Sequence, residues 1–395
     1  MNNLKGKELL KKQTTPLYAY DLSVLAERIR FLRSRLPDGI GLCYAVKANT
    51  FILQTVSEQV DRLEICSPGE LRICCRMGIP TNKFVVSGVY KTPSLIRELI
   101  AQGSTGEIYT VESMHQFQTL SDAAHQGNER ISILLRLTSG NQFGLSETEL
   151  ACIIKEHQHD PLLDFRGIQY FSGTQKTSLK RIKRELDYLD GFLLELQEAY
   201  GFSASELEFG PGFPVSYFIG DDFDEDTFLK GFSELLTGMQ FKTKLTLELG
   251  RSIAASCGTY LTSIVDKKTN KGQNYAIVDG GMHQLVYYGQ SMAMKLPFVH
   301  ELAPHPDAKT EPWNICGSLC TINDILVKQF PMHCPEIGDV LMFENAGAYC
   351  AAEGIALFLS RDLPAVMLVE NGCEPICVRE HLPIEGLNTP NNELR

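Results

Sequence analysis

Lys47 stands in the run Tyr44-Ala45-Val46-Lys47-Ala48-Asn49, at the end of an apolar stretch that begins at Ile40. A charge at the end of a buried strand is costly, and burial lowers the pKa of a lysine. An amine made partly neutral in this way attacks an aldehyde and forms a Schiff base. A lysine that snorkels from a strand end to water satisfies the same pattern. Glu248, in Glu248-Leu249-Gly250-Arg251, ends a second apolar run. A carboxylate there needs a partner. A protonated ring nitrogen is one, and the nearby Arg251 is the structural alternative. Gly210-Pro211-Gly212 lets backbone approach an anion, whose oxygens its N–H groups could bind; a tight turn explains such a pair of glycines equally well. Arg251, next to Gly250, suits a phosphate or a surface ion pair. Thr174, within Phe171-Ser172-Gly173-Thr174-Gln175, offers a hydroxyl to a ligand or to a helix end. Together these residues supply a lysine for an aldehyde, an acid for a pyridine nitrogen, and glycines, Thr174 and Arg251 for a phosphate. Pyridoxal 5′-phosphate carries all three groups, and the conjunction is more specific than any member of it.

A repeated strand-then-helix unit must bring these positions together. Strands are expected at 40–46, 62–66, 83–87, 106–111, 131–137, 166–171, 206–209 and 244–247. Helical stretches separate them, as at 53–60, 93–102, 114–126 and 178–200. In the last, Ile182, Leu186, Leu189, Leu193 and Leu196 keep one apolar face. Eight such units predict a closed (β/α)8 TIM barrel. An open doubly wound sheet is the alternative, disfavoured because no Gly-x-Gly-x-x-Gly opens a helix after the first strand. A helix near Leu25–Leu36 precedes the first barrel strand and could fill the outer position left vacant after the eighth. Functional residues of a barrel gather where strands end. Lys47, Ser67, Phe171–Gln175, Gly210–Gly212 and Glu248–Arg251 all fall there, with Glu64 and Arg136 inside strands two and five. After about Ser256 the texture changes to short β-type runs (259–265, 274–278, 313–315, 340–343, 365–369) broken by Gly, Pro, Asn and Asp, which predicts an all-β domain. The expected division is a barrel over 22–256, with 1–21 and 257–395 forming a β-sandwich or β-barrel domain.

Composition sets outer bounds. The chain has 395 residues, 44% hydrophobic, enough for one large domain and a smaller one. A formal net charge of −11 without a long basic run argues against nucleic acid as partner. The polar, lysine-rich first fifteen residues predict no signal peptide. No apolar run is long enough to span a bilayer. Twelve scattered cysteines without a CxxC pattern fit reduced thiols in a cytoplasmic protein better than disulfides or a zinc site, and no metal is expected.

With these residues in place the chain resembles the barrel-type (fold-type III) pyridoxal-phosphate decarboxylases, the family of diaminopimelate and ornithine decarboxylases, over nearly its whole length. Tyr44–Asn49 resembles the family's Schiff-base lysine segment, so the resemblance gives Lys47 that role. Ser67-Pro68-Gly69-Glu70-Leu71 is similar to the segment after the second strand. Glu248–Arg251 resembles Glu-Pro-Gly-Arg, with leucine for proline, and Gly210–Gly212 the triple-glycine phosphate turn. Gly317-Ser318-Leu319-Cys320 and Asn345-Ala346-Gly347-Ala348-Tyr349 resemble segments of the family's β domain. By that likeness Cys320 and Tyr349 enter the active site of the other subunit of a head-to-tail homodimer, and Cys320 protonates the product carbon. There are departures. Phe171 stands where the family has a histidine stacked on the cofactor ring; it can stack but not titrate. After Asp279-Gly280-Gly281-Met282 comes His283-Gln284-Leu285-Val286-Tyr287-Tyr288 in place of an arginine-containing segment, and Thr321 replaces an acid after the cysteine. Both fixed charges for the distal end of a free diamino acid are missing. The resemblance therefore implies a biosynthetic decarboxylase of an α-amino acid or of an aminoacyl derivative, tethered to a carrier protein or part of a natural-product pathway. Diaminopimelate decarboxylase proper, an amino-acid racemase on the same fold and a non-catalytic regulatory paralogue are the alternatives.

Overall fold

The computed structural model describes residues 2–102, 106–304 and 309–390. It forms two compact units, one of Ile29–Pro214 with Phe223–Ile253, the other of Met1–Arg28, Val215–Asp222 and Ala254–Arg395.

Strand β1 (Leu17–Asp21) precedes the first unit and belongs to the second. The first unit holds β2 (Gly41–Ala45), β3 (Arg62–Ile65), β4 (Phe84–Val86), β5 (Ile108–Val111), β6 (Ile131–Arg136), β7 (Leu163–Phe171), β8 (Glu206–Gly210) and β9 (Lys244–Leu249). Each pairs in parallel with the next, and β9 returns to β2 with Glu248 opposite Cys43, so the barrel is closed. All eight expected strands are present. Their near-continuous apolar runs reflect burial on both faces, as a parallel sheet covered by helices requires. Helices begin on side-chain caps: Ser67 accepts from the Glu70 N–H with Pro68 at the first turn, and Ser146 and Glu149 cap reciprocally. The helix Leu22–Arg35 ends beside the barrel as expected. Arg33 donates to the Gln59 carbonyl and to Asp61, while Arg35 pairs with Asp226 at 2.6 Å. That lies between the helices Leu53–Gln59 and Glu225–Thr237, the outer slot after β9.

The barrel interior is unusually polar for a fold whose centre is normally filled by branched aliphatics. Glu206 is fully buried, paired with Arg62 and hydrogen-bonded by Thr246 at 2.7 Å. Toward the strands' C-terminal ends comes Glu208, also fully buried, which accepts from Gln169 Nε2 at 2.7 Å.

The second unit contains β1, β10 (Gly258–Asn270), β11 (Gln273–Val278), β12 (Val299–Glu301), β13 (Thr310–Cys316), β14 (Ile325–His333), β15 (Val340–Phe343), β16 (Ala365–Val369) and β17 (Ile376–Arg379). They join into one nine-stranded mixed sheet with the path β14-β13-β11-β10-β1-β16-β17; β15 pairs with β10 and β12. β1 is antiparallel to β10 and parallel to β16, and its Leu17 and Ala19 face a core shared with Leu261, Met342, Ala365 and Met367. Val215–Asp222 departs from the single 22–256 span expected for the barrel domain. It clusters here because Ile219 N–H bonds the Leu296 carbonyl at 2.8 Å and Tyr217 packs on Tyr287. No helix among the described residues is long and apolar enough to cross a membrane.

Candidate active site

Lys47 sits in a short 3-10 turn, Val46–Ala48, that follows the fully buried β2. Its Nζ lies 2.8 Å from Glu64 Oε2 on β3 and 3.6 Å from Glu248 Oε1 on β9. Its side chain is 42% exposed, so Lys47 opens to the barrel mouth rather than into the buried setting expected of it. Cys66 Sγ, just beyond β3, is 3.7 Å away. Burial, then the Glu64 carboxylate, pushes that thiol far above its usual range.

The two acids around Lys47 differ. Burial raises both, but the Lys47 ammonium, a hydrogen bond from Glu248 and the charge of Arg136 together hold Glu64 well below the usual carboxylate range. Burial and then the Glu64 charge push Glu248 well above it. The two shifts run in opposite directions, Glu64 toward its charged form and Glu248 toward its protonated one. Beneath them Glu208 is pushed up to about 7 by burial and by Glu64. Arg136, at the end of β6, pairs with Glu112 at 3.2 Å and lies over the Phe143 ring.

The second cluster is built from loops. β7 ends at Phe171, and a Cβ on Gly210, at the end of β8, would lie 2.4 Å from its ring. Gly212 has φ +64, and a Cβ there would meet the Gly173 carbonyl oxygen at 2.1 Å. Only residues without side chains let the loops after β7 and β8 approach this closely. Lys176 N–H fastens them by donating to the Gly212 carbonyl at 2.9 Å. From the helix Leu179–Tyr200, Glu185 braces the first loop: it accepts from Ser172 Oγ at 2.6 Å and pairs with Lys176 at 2.7 Å. Arg251, after Gly250 at the end of β9, is buried at 8% exposure and opens the short helix Arg251–Ala254.

Lys47, Glu64 and Glu248 are thus brought together, as are Phe171, Gly173, Thr174, Gly210 and Gly212. Cys320 and Tyr349 belong to the other unit. Cys320 is exposed on a loop governed by Asp324. The Asp324 carboxylate accepts the N–H groups of Met282 at 2.7 Å and Leu319 at 2.8 Å, and a Cβ on Gly317 or Gly281 would collide with it. Tyr349 has φ +65, and its carbonyl accepts from the Ala352 and Glu353 N–H groups. Asp324, Glu185, Glu208 and Cys66 were not singled out in the sequence. None stands in a recognisable motif, and a buried acid on an alternating strand or in a glycine-rich loop carries no local signature.

The residues present fit a pyridoxal phosphate. Around Lys47 two buried carboxylates face one ammonium, and burial drives Glu248 toward its protonated form; a cationic ring nitrogen would let it ionise. The loops after β7 and β8 offer a cradle that any Cβ would fill.

A family model described as pyridoxal-dependent decarboxylase, C-terminal sheet domain, matches residues 17–347. The chain is 28% identical to the 2-[(L-alanin-3-ylcarbamoyl)methyl]-2-hydroxybutanedioate decarboxylase of Staphylococcus aureus, over 87% of this chain and 91% of that one. It is 27% identical to the L-glutamyl-[BtrI acyl-carrier protein] decarboxylase of Niallia circulans, over 92% and 91%. Among solved structures, the diaminopimelate decarboxylase of M. jannaschii in complex with L-lysine superposes with a TM-score of 0.84 at 21% identity, covering 99% of this chain and 95% of that one.

Proposed function

Because the chain belongs to the pyridoxal-dependent decarboxylases, and so is a carboxy-lyase that uses pyridoxal 5′-phosphate, we propose that its substrate is an α-amino acid whose distal end is masked, as an amide or as a thioester on a carrier protein. The observation that carries the site assignment is the Lys47 ammonium between Glu64 and Glu248, with the glycine cradle at the same strand ends of the closed parallel barrel. When bound, the cofactor supplies an aldehyde for amines and a ring that takes up the electrons of the breaking carbon–carboxylate bond.

In this reading Lys47 would be the amine that holds the cofactor through its aldehyde. Glu248 would hold the ring nitrogen in its protonated form, while Glu64, 2.8 Å from the Lys47 ammonium, would orient Lys47. Phe171 would pack on the ring. The backbone of Gly173, Gly210, Gly212 and Gly250, the Thr174 hydroxyl and the Arg251 guanidinium hold the phosphate. Cys320 and Tyr349 reach the site from a second copy of the chain in a head-to-tail homodimer. There Tyr349 contacts the cofactor and the Cys320 thiol delivers a proton to the carbon that has lost its carboxylate. We further infer a reducing, cytoplasmic setting, which twelve free thiols support.

The masked substrate is supported by neutral residues at the positions that would answer a distal charge, Val286, Tyr287, Tyr288 and Thr321. Removing one partner of a buried ion pair typically costs about 3–5 kcal/mol, more than a hundredfold in affinity. Borohydride reduction of the loaded enzyme followed by peptide mapping should place the pyridoxyl label on Lys47; a label on another lysine rejects the assignment. Across free diaminopimelate, lysine, ornithine, glutamate and a glutamyl-carrier thioester, kcat/KM should be highest for the thioester. Efficient turnover of free diaminopimelate alone rejects the masked substrate.

A further inference from the structure

The β-rich unit contains a cavity of about 370 Å³, in the size range of small-molecule sites. Met282, Val286, Met292, Ala293 and Ile325 give it apolar walls, and Gln290, Ser291 and Asn323 give it polar side chains, of which the Gln290 amide is already bonded to the Lys295 backbone. No acid, base or histidine lines it among the described residues. One wall is the segment after Gly281 that lacks the expected arginine. The opposite wall follows Cys320 and Thr321 in the chain. Asp324 ties the two walls together through the Met282 and Leu319 N–H groups, so the cavity and the Cys320 loop form one body. Tyr287, also in the lining, donates its hydroxyl to the Glu344 carbonyl at 2.6 Å and presents no charge. The turn that closes the cavity holds Met292 at φ +46 and Ala293 at φ +52. Two successive side-chain-bearing residues in the left-handed region are strained, and such strain concentrates at ligand sites.

We propose that this cavity binds an uncharged, mostly aliphatic chain carrying amide groups: the arm through which a carrier protein presents its amino acid. The inference rests on the masked-substrate reading and narrows it. The free distal ammonium and carboxylate of a diamino acid would meet no counter-charge here, and neither would the two carboxylates of a hydroxybutanedioate amide; burying either unpaired is costly. A pantetheine arm has no charge along its length, and Ser291 and Asn323 can each serve one of its amides.

The test uses holoenzyme with 13C-methyl-labelled methionine, titrated with D-pantetheine. The Met282 and Met292 methyl signals should shift saturably. Ala293→Leu, which fills the cavity with apolar volume, and Met292→Glu, which sets a charge at its half-exposed rim, should each weaken binding on the order of tenfold or more while leaving the melting temperature near that of the parent. The Met282 methyl reports binding in both variants. Absence of a saturable shift up to about 10 mM, or a shift that neither variant weakens, overturns the proposal. Binding that behaves as expected, in an enzyme that nevertheless decarboxylates no masked amino acid, keeps the cavity site and rejects the substrate reading instead.

Discussion

Glu208 sits fully buried inside the barrel, one oxygen bonded by Gln169 and the other without a partner among the described residues. Burial, then the charges of Glu64 and Glu206, hold its pKa up to about 7, against the pull of Gln169 and Arg62. In the unfolded chain it would titrate near 4.5. Between those values the folded protein binds the extra proton, so this residue's contribution to stability falls as pH rises through that window, by about 3 kcal/mol in all. Glu208→Gln keeps the shape and removes the titration. Its stability relative to the parent, measured by chemical denaturation, should improve from pH 5 to pH 8 by up to that amount; a constant difference across the range refutes the assignment. The other site residues were far more legible. Lys47, Glu248 and Arg251 each end an apolar run, where a charge needs a reason. Glu208 sits in Glu206-Leu207-Glu208, which reads as ordinary alternation. Only closure of the barrel turns that face inward.

The glycine-lined junction of the loops after β7 and β8 invites a test of its own. Gly212→Ala adds a Cβ 2.1 Å from the Gly173 carbonyl, at a φ of +64 that an L-residue resists. The loops must part. Since they lie beyond the strand ends, the barrel should fold, while cofactor affinity, followed by fluorescence titration of the apoprotein, should fall on the order of tenfold or more. Unchanged affinity would remove these loops from the phosphate site. The strands that set the loops were readable because each barrel strand is a short apolar run followed by a helix. In the β-rich unit the signal weakened. β14 escaped because Pro331 interrupts it, and a proline normally demotes a strand; the structure sets it opposite Pro312 of β13, where neither residue has an N–H to lose. β12, only three residues long, and β17, four residues long with two exposed positions, have too little pattern to register.

Taken whole, the proposed chemistry divides between two units, Lys47 in the barrel and Cys320 in the β-rich one. If two copies share sites head to tail, inactive Lys47→Ala and Cys320→Ala chains should complement when mixed and allowed to exchange. Random pairing makes half the dimers mixed, each with one intact site, so about a quarter of parental activity should return. No recovery despite exchange demonstrated by mass spectrometry rejects sharing. The sheet of the β-rich unit carries a different consequence, one of time. β1 leaves the ribosome early, yet one neighbour, β10, begins at Gly258 and the other, β16, at Ala365. At translation speeds of about 5–20 residues per second, Leu17–Asp21 waits roughly 20–70 s for its second partner. During that wait the barrel, whose strands all come from the intervening chain, can complete itself. The five-residue strand that is wholly buried in the finished protein is meanwhile an open edge. The nascent chain therefore offers a chaperone its clearest handle at the end made first.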